Sequence, residues 1–255
     1  MFKEKKMLPE YTNDYLLDKQ VKILQPVDGY RASTDAVLLA GAVSGKLKGA
    51  RILDVGSGTG AVSLCLAQRL QQYNVQISGI EIQPELAELS NLSAAQNNFD
   101  FVKFYNADIR HKLQNANLQN CSFDVVISNP PYSDHDMPSP NQSKATAHNH
   151  TDFNLSKWLN FCLKMAKPFG QIYMVNRVEA LAEICTFLNG KAGNIRILPV
   201  YSKAGQDAKR IIVAAQKDSK APCKILSPFY VHNADGKYTE QAQKILREGC
   251  GLFDL

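Results

Sequence analysis

Asn129-Pro130-Pro131-Tyr132 closes the apolar run "FDVVIS" with an amide, two stiff residues and a phenol. Proline fixes its own φ and confines the residue before it to extended conformations. Two in succession hold the Asn129 carboxamide oxygen and the Pro130 carbonyl in set directions. Both accept hydrogen bonds, and an amino group conjugated to a ring or a carbonyl offers two N–H bonds. An amine held between them is drawn from planar toward pyramidal, which frees its lone pair for attack. The nitrogen turns positive as the new bond forms, so acceptors already in place favour the transition state over the ground state. The flat face of Tyr132 suits stacking under a planar base or amide.

A second cluster precedes it. "LDVGSGTG" places Gly56, Gly58 and Gly60 where an apolar run gives way to helical spacing. Glycines there let the backbone turn tightly and approach a ligand with no Cβ in the way. The GxGxG spacing differs from the GxGxxG of dinucleotide folds and lacks the Lys-Ser/Thr of a P-loop. Alone it marks only a tight strand-to-helix turn. Glu81 ends the next apolar run, where a carboxylate can accept both hydroxyls of a ribose. Asp108, in "NADIR", can meet an adenine amino group while Ile109 packs on the ring. Asp54 stands ahead of the first glycine, and its charge favours a cationic ligand over a pyrophosphate.

These residues need a scaffold that gathers the ends of several runs. "ARILDVG" predicts a buried parallel strand. "AVSLCLAQRL" has helical spacing, "VQISGIE" predicts a second strand, and "PELAELSNLSAAQNN" a helix with Pro84 early in it. "FVKFYNAD" and "FDVVISN" predict a third and a fourth strand. "NLSKWLNFCLKMAKPFG" predicts a helix stopped by Pro168 and Gly170, with Trp158 as a core residue. "QIYMVN" predicts a fifth strand, "VEALAEICTFL" a helix, and "NIRILPVYS" with "KRIIVAAQ" an antiparallel pair. Strands alternating with helices indicate an α/β domain with a mainly parallel sheet and an antiparallel edge hairpin. The division expected is a leader over residues 1–45, a core over 46–217 and an extension over 218–255. The leader predicts a strand, a turn at Asp28-Gly29 and a helix from Thr34, with Thr34 as its cap. The extension predicts an Asp-Gly turn and a short helix from about Thr239.

The 255 residues are 45% hydrophobic and 21% charged, enough apolar material for a sizeable core. No apolar run approaches the roughly 20 residues of a membrane span, and "MFKEKKMLPEYTND" has no signal-peptide pattern, so a cytoplasmic location is expected. Six cysteines without a CxxC pair read as reduced, mostly core residues. His135, His148 and His150 share a polar loop with Asp134, Asp136 and Asp152. Their spacing fits no strong ligand pattern, and no metal is expected. The net charge of +5 leans toward polyanions.

In that order, "LDVGSGTG", "GIEIQPE", "NADI" and "ISNPPY" resemble the class I S-adenosylmethionine-dependent methyltransferases from Arg51 to about Lys217. The resemblance implies a Rossmann-like sheet of seven strands with helices on both faces and the last strand inserted antiparallel beside the fifth. It implies S-adenosylmethionine as cofactor. The Asp54 region, Gly56 and Gly58 would hold the methionine part, Glu81 the ribose and Asp108 the adenine. Gly60, Ile82, Ile109 and Asn129 complete the cofactor set, and Asn129, Pro130 and Tyr132 the catalytic one. NPPY occurs in enzymes that methylate adenine N6, cytosine N4, guanine N2 or a glutamine amide, and does not choose between them.

The flanks "LQPVDGYRASTDAVLLAGAV" and "ILSPFYVHNADGKYTEQAQKIL" are similar to those of bacterial tRNA(Val) adenine N6-methyltransferases. That resemblance implies tRNA as partner, with Arg31, Ser33 and Asp35 near the cofactor under the leader helix. Ser133 departs from the aromatic residue that many members carry after the tyrosine. Glutamine methylation of a release factor is disfavoured by a leader too short for that family's helical domain, and a DNA amino-methyltransferase by the lack of room for a target-recognition domain. Guanine N2 methylation of rRNA and a non-catalytic RNA-binding assembly factor complete the alternatives. Lys3, Lys5, Lys6, Lys203, Lys209 and Arg210 are candidate phosphate contacts, with a steep salt dependence if so.

Overall fold

A computed structural model describes residues 8–29, 31–43, 47–113, 115, 117–131 and 154–252. The elements in order are β1 (Tyr11–Leu16), β2 (Val21–Pro26), α1 (Thr34–Ala42), β3 (Arg51–Val55), α2 (Ala61–Leu70), β4 (Gln76–Glu81), α3 (Pro84–Gln96), β5 (Val102–Asn106) and β6 (Phe123–Ser128). Then follow α4 (Leu155–Met165), β7 (Ala166–Arg177), α5 (Leu181–Leu188), β8 (Ala192–Tyr201), β9 (Arg210–Lys217), β10 (Lys224–Ile225), β11 (Phe229–Tyr230) and α6 (Glu240–Glu248).

The sheet runs β8-β9-β7-β6-β3-β4-β5. Strands β3 to β7 are parallel to their neighbours among themselves, and β9 lies antiparallel between β7 and β8. This is the inserted last strand that the resemblance implied. Two further strands, β10 and β11, pair with β8, each over two residues. They extend the expected seven, and runs that short carry no periodicity to read in a sequence.

The central strands β3 and β6 are largely apolar because both faces of the sheet are covered. On β3, Ile52 joins the cluster that also holds α1, α2 and α6 side chains, while Leu53 and Val55 join the one that holds α4 and α5. Side-chain alternation thus feeds one strand into two cores. The leader and the extension share the first cluster through Leu39, Ile245 and Leu252. The Leu252 N–H donates to the Gly41 carbonyl at 2.7 Å, and a Cβ on Gly41 would stand 2.9 Å from Ile245.

Four local expectations need correction. The leader has two strands: β1 and β2 form a hairpin whose turn takes Leu17, Asp18 and Lys19 through positive φ. Helix α1 is capped by Ser33, whose hydroxyl accepts from the Asp35 N–H, and Thr34 is already helical. Helix α4 ends at Met165, before Pro168 and Gly170, because Pro168 bars Lys167 from helical geometry. Ala166 is extended there, and the 166–170 stretch enters β7 through a register shift against β6. Residues 178–180 form a 3-10 turn ahead of α5. No helix among the described residues is long and apolar enough to cross a membrane.

Candidate active site

Parallel pairing sets the site at one edge of the sheet. Val55 is paired with Ile80 on one side and with Ser128 on the other. Gly56, Glu81 and Asn129, the next residues, therefore lie side by side where the strands end. Neighbouring strands are about 4.8 Å apart, so Glu81 and Asn129 flank Gly56 across about 10 Å.

The glycine loop is fastened to β4. The Gly56 and Ser57 N–H groups both donate to the Ile80 carbonyl at 2.9 Å, and the Gly60 N–H donates to Ser57 at 2.8 Å. Gly56, Gly58 and Gly60 take φ values of +71°, +55° and +82°. A Cβ on Gly56 would come 2.7 Å from the Trp158 ring, and one on Gly60 2.7 Å from Phe104. Space and backbone conformation both demand glycine at these two positions.

Glu81 is 6% exposed. Its two oxygens accept separately from the Gly58 and Gln83 N–H groups, each at 2.9 Å. Burial raises its pKa, and these backbone donors oppose the rise. A carboxylate has about four lone-pair sites, so acceptor capacity remains for the hydroxyls of a ligand. Behind it, the Asn106 side-chain amide donates to the carbonyls of Glu81 and Ile82 at 3.0 and 2.8 Å. Ile82 is half-buried beside this clamp.

Asp54 is 1% exposed and accepts from the Ser63 hydroxyl at 2.8 Å. Its carboxylate thus braces the first turn of α2 beneath the loop. Burial pushes its pKa up to about 7, with the charge of Glu81 adding to the rise and Ser63 opposing it.

Asp108 is gripped by its neighbour Arg110. The Arg110 Nε lies 2.9 Å from both carboxylate oxygens, a terminal nitrogen lies 2.6 Å from Oδ2, and the Arg110 backbone N–H adds a bond of 2.9 Å. The guanidinium holds the carboxyl below its ordinary range. Ile109 packs half-buried against the α4 and α5 cluster. A cavity of about 400 Å³ opens nearby, lined by Tyr105, Asn106, Ala107 and Leu113. It adjoins Asp108 along the chain but excludes the glycine loop and Asn129 from its lining.

At the end of β6, Asn129 is half-buried, Pro130 buried and Pro131 exposed. Tyr132, Ser133 and the loop from His135 to His150 lie outside the described residues, as do Lys3, Lys5 and Lys6. Among the described residues no three His, Cys, Asp or Glu side chains gather as a metal site would require.

The leader residues divide. Asp35 reaches this edge, where its Oδ2 accepts from the Arg210 Nε at 2.9 Å at the start of β9. Arg31 bonds the hairpin, to Asp14 at 2.6 Å and the Pro26 carbonyl at 3.1 Å. Asn106, Ser128 and Arg110 escaped the sequence reading as site residues. "NADIR" contained two of them, but only the pairing of strands shows what they hold.

Residues 46–227 match a family model described as a methyltransferase domain. A tRNA1(Val) (adenine(37)-N6)-methyltransferase of Porphyromonas gingivalis is 29% identical over 233 residues, covering 88% of this chain and 89% of its own. The solved structure of a predicted O-methyltransferase from Agrobacterium tumefaciens aligns with a TM-score of 0.69 at 25% identity, over 84% of this chain and 96% of that one. A class I S-adenosylmethionine-dependent methyltransferase structure from Listeria monocytogenes aligns at 0.54 and 20% identity, over 76% and 62%, a likeness of fold.

Proposed function

Because the chain belongs to the methyltransferase domain family, we propose that it methylates the N6 amino group of an adenosine in tRNA, next to the anticodon of a valine tRNA, with S-adenosylmethionine as methyl donor. The observation that carries this reading is the pairing of Val55 with Ser128, which sets Asn129 beside Gly56 at one sheet edge. The tRNA substrate is carried by the named activity of the Porphyromonas relative and by the flanks of the chain.

The donor set fits the cofactor: a glycine edge for close approach, Glu81 for the ribose hydroxyls, and Asp108 with Ile109 for the adenine. Asp54 acts from beneath, by bracing the loop. When bound, the cofactor supplies an electrophilic methyl on a sulfonium. Asn129 and Pro130 accept the two N–H bonds of the target amine and orient its lone pair toward that methyl. As charge develops on nitrogen, these acceptors strengthen, and the charge is discharged when one of the two N–H protons, made acidic by methylation, passes to solvent; losing one such acceptor costs on the order of 3 kcal/mol in other enzymes. An adenosine in a structured loop must leave its stack to reach this corner, at an unstacking cost of a few kcal/mol, and the sequence offers Tyr132 as its stacking partner. An oxygen nucleophile presents at most one hydrogen, which leaves the second acceptor idle. The corner therefore favours an amine over the O-methylation predicted for the Agrobacterium neighbour.

The deciding experiment offers labelled cofactor with total tRNA, rRNA and a release factor, followed by digestion and mass spectrometry. N6-methyladenosine from the tRNA pool is expected. Methylglutamine from the release factor, or methylguanosine from rRNA, would replace this reading. Asn129→Ala is expected to abolish turnover while cofactor affinity by calorimetry stays within about threefold, and full activity in that variant would remove the role given to Asn129.

A further inference from the structure

Trp158 is the single tryptophan of the chain and stands in the first turns of α4. Its indole Nε1–H donates to the Ser128 hydroxyl at 2.8 Å. That hydroxyl, fully buried, donates onward to the Val55 carbonyl at 2.7 Å. Val55 is the residue before Gly56, and Ser128 the residue before Asn129. The β3–β6 pairing ends at these two residues, so the relay sits where the two functional segments part. The ring of the same indole meanwhile covers Gly56, close enough that a Cβ there would lie 2.7 Å away.

We infer that Trp158 is a positioning residue, which fixes the separation of the glycine loop from the Asn129 corner by its N–H on Ser128 and its ring on Gly56. The inference rests on the placement of cofactor and amine proposed above. Methyl transfer needs reacting atoms about 3 to 3.5 Å apart, and an error of about 1 Å can cost on the order of 100-fold. A residue that only fills the core is replaceable by another aromatic of similar bulk. One that sets this spacing needs the N–H, which a phenylalanine lacks.

The test compares full-length Trp158→Phe, Ser128→Ala and the double variant with the parent chain, each first shown to be folded by thermal melting. The expected result is a fall in kcat of about 10- to 100-fold in each single variant, with cofactor affinity by calorimetry within about threefold. The double variant is expected to be no slower than the slower single, because both changes break one relay. A kcat within about twofold of the parent, or a loss wholly in cofactor affinity, would overturn the spacing role. A second readout needs no turnover. Tryptophan emission of the parent chain should change on titration with S-adenosylmethionine and saturate with the calorimetric isotherm. Unchanged emission while calorimetry reports binding would overturn the contact with the cofactor loop. A parent chain that binds cofactor and shifts its emission but methylates no RNA would instead sink the functional reading, and the spacing role with it.

Discussion

Glu81 and Asp108 are expected at adjoining parts of one cofactor, yet the fold treats the two carboxylates in opposite ways. Glu81 is buried and held by backbone N–H groups from two segments, neither of which can rotate away. Asp108 is partly exposed and held mainly by the flexible side chain of Arg110, with one backbone N–H of the same residue beside it. Burial raises the pKa of the first, and a guanidinium lowers that of the second. The contrast separates a contact built in advance from one obtained by exchange. Glu81 offers its remaining lone pairs without moving. Asp108 must release Arg110 before it can accept from an adenine.

The largest expected effect tests the burial side of the contrast through Asp54. Its pKa rises from 3.8 in the unfolded chain to about 7 in the fold. The native state therefore binds more protons between those values, and this group's contribution to stability falls as pH rises through that window, then levels off. By linkage the loss is on the order of 4 kcal/mol. Asp54→Asn should remove that slope, so melts from about pH 5 to pH 8 should show the parent losing stability relative to the variant. Parallel curves would show that Asp54 is not held protonated by burial.

Next in size is Glu81→Ala, which removes the proposed ribose acceptor and takes from the buried Gly58 N–H its carboxylate partner. Cofactor affinity should weaken by about 100-fold, roughly 3 kcal/mol, as read by calorimetry. Asp108→Asn should cost less, about tenfold, since its site is partly solvated and already in competition. Arg110→Ala should act in the opposite direction. Freed of its guanidinium, Asp108 should bind cofactor as tightly as in the parent chain or up to about threefold more tightly, with the gain greatest at low salt. Weakened binding in that variant would show that Arg110 holds the ligand rather than competing for Asp108.

Legibility in the sequence followed the range of the interaction. β3 and β6 could be read because burial on both faces leaves runs that are largely apolar, each with one aspartate near an end, and β4 because it ends in the Glu81 motif. β1, "YTNDYL", could not, since Tyr11 and Tyr15 are exposed and its turn uses Leu17, Asp18 and Lys19 where glycine or asparagine would announce a hairpin. The end of α4 was misplaced because the proline acts on the residue before it. In the site, the glycines and Glu81 stand at fixed places in motifs. Trp158 and Ser128 meet across 30 residues, and Arg210 meets Asp35 across 175, so no local pattern announces either pair. The bond from Arg31 to Asp14 was hidden for the converse reason: Asp14 lies on a strand the sequence had not revealed.

The bond from Leu252 to Gly41 ties the first helix to the segment that follows α6. A polypeptide emerging from the ribosome presents α1 long before its clasp exists. The leader can pack on α2 and β7 earlier, but the side of α1 that meets Ile245 and Leu252 stays uncovered until α6 is in place. Loop-closure entropy over such a separation slows the last folding step as well.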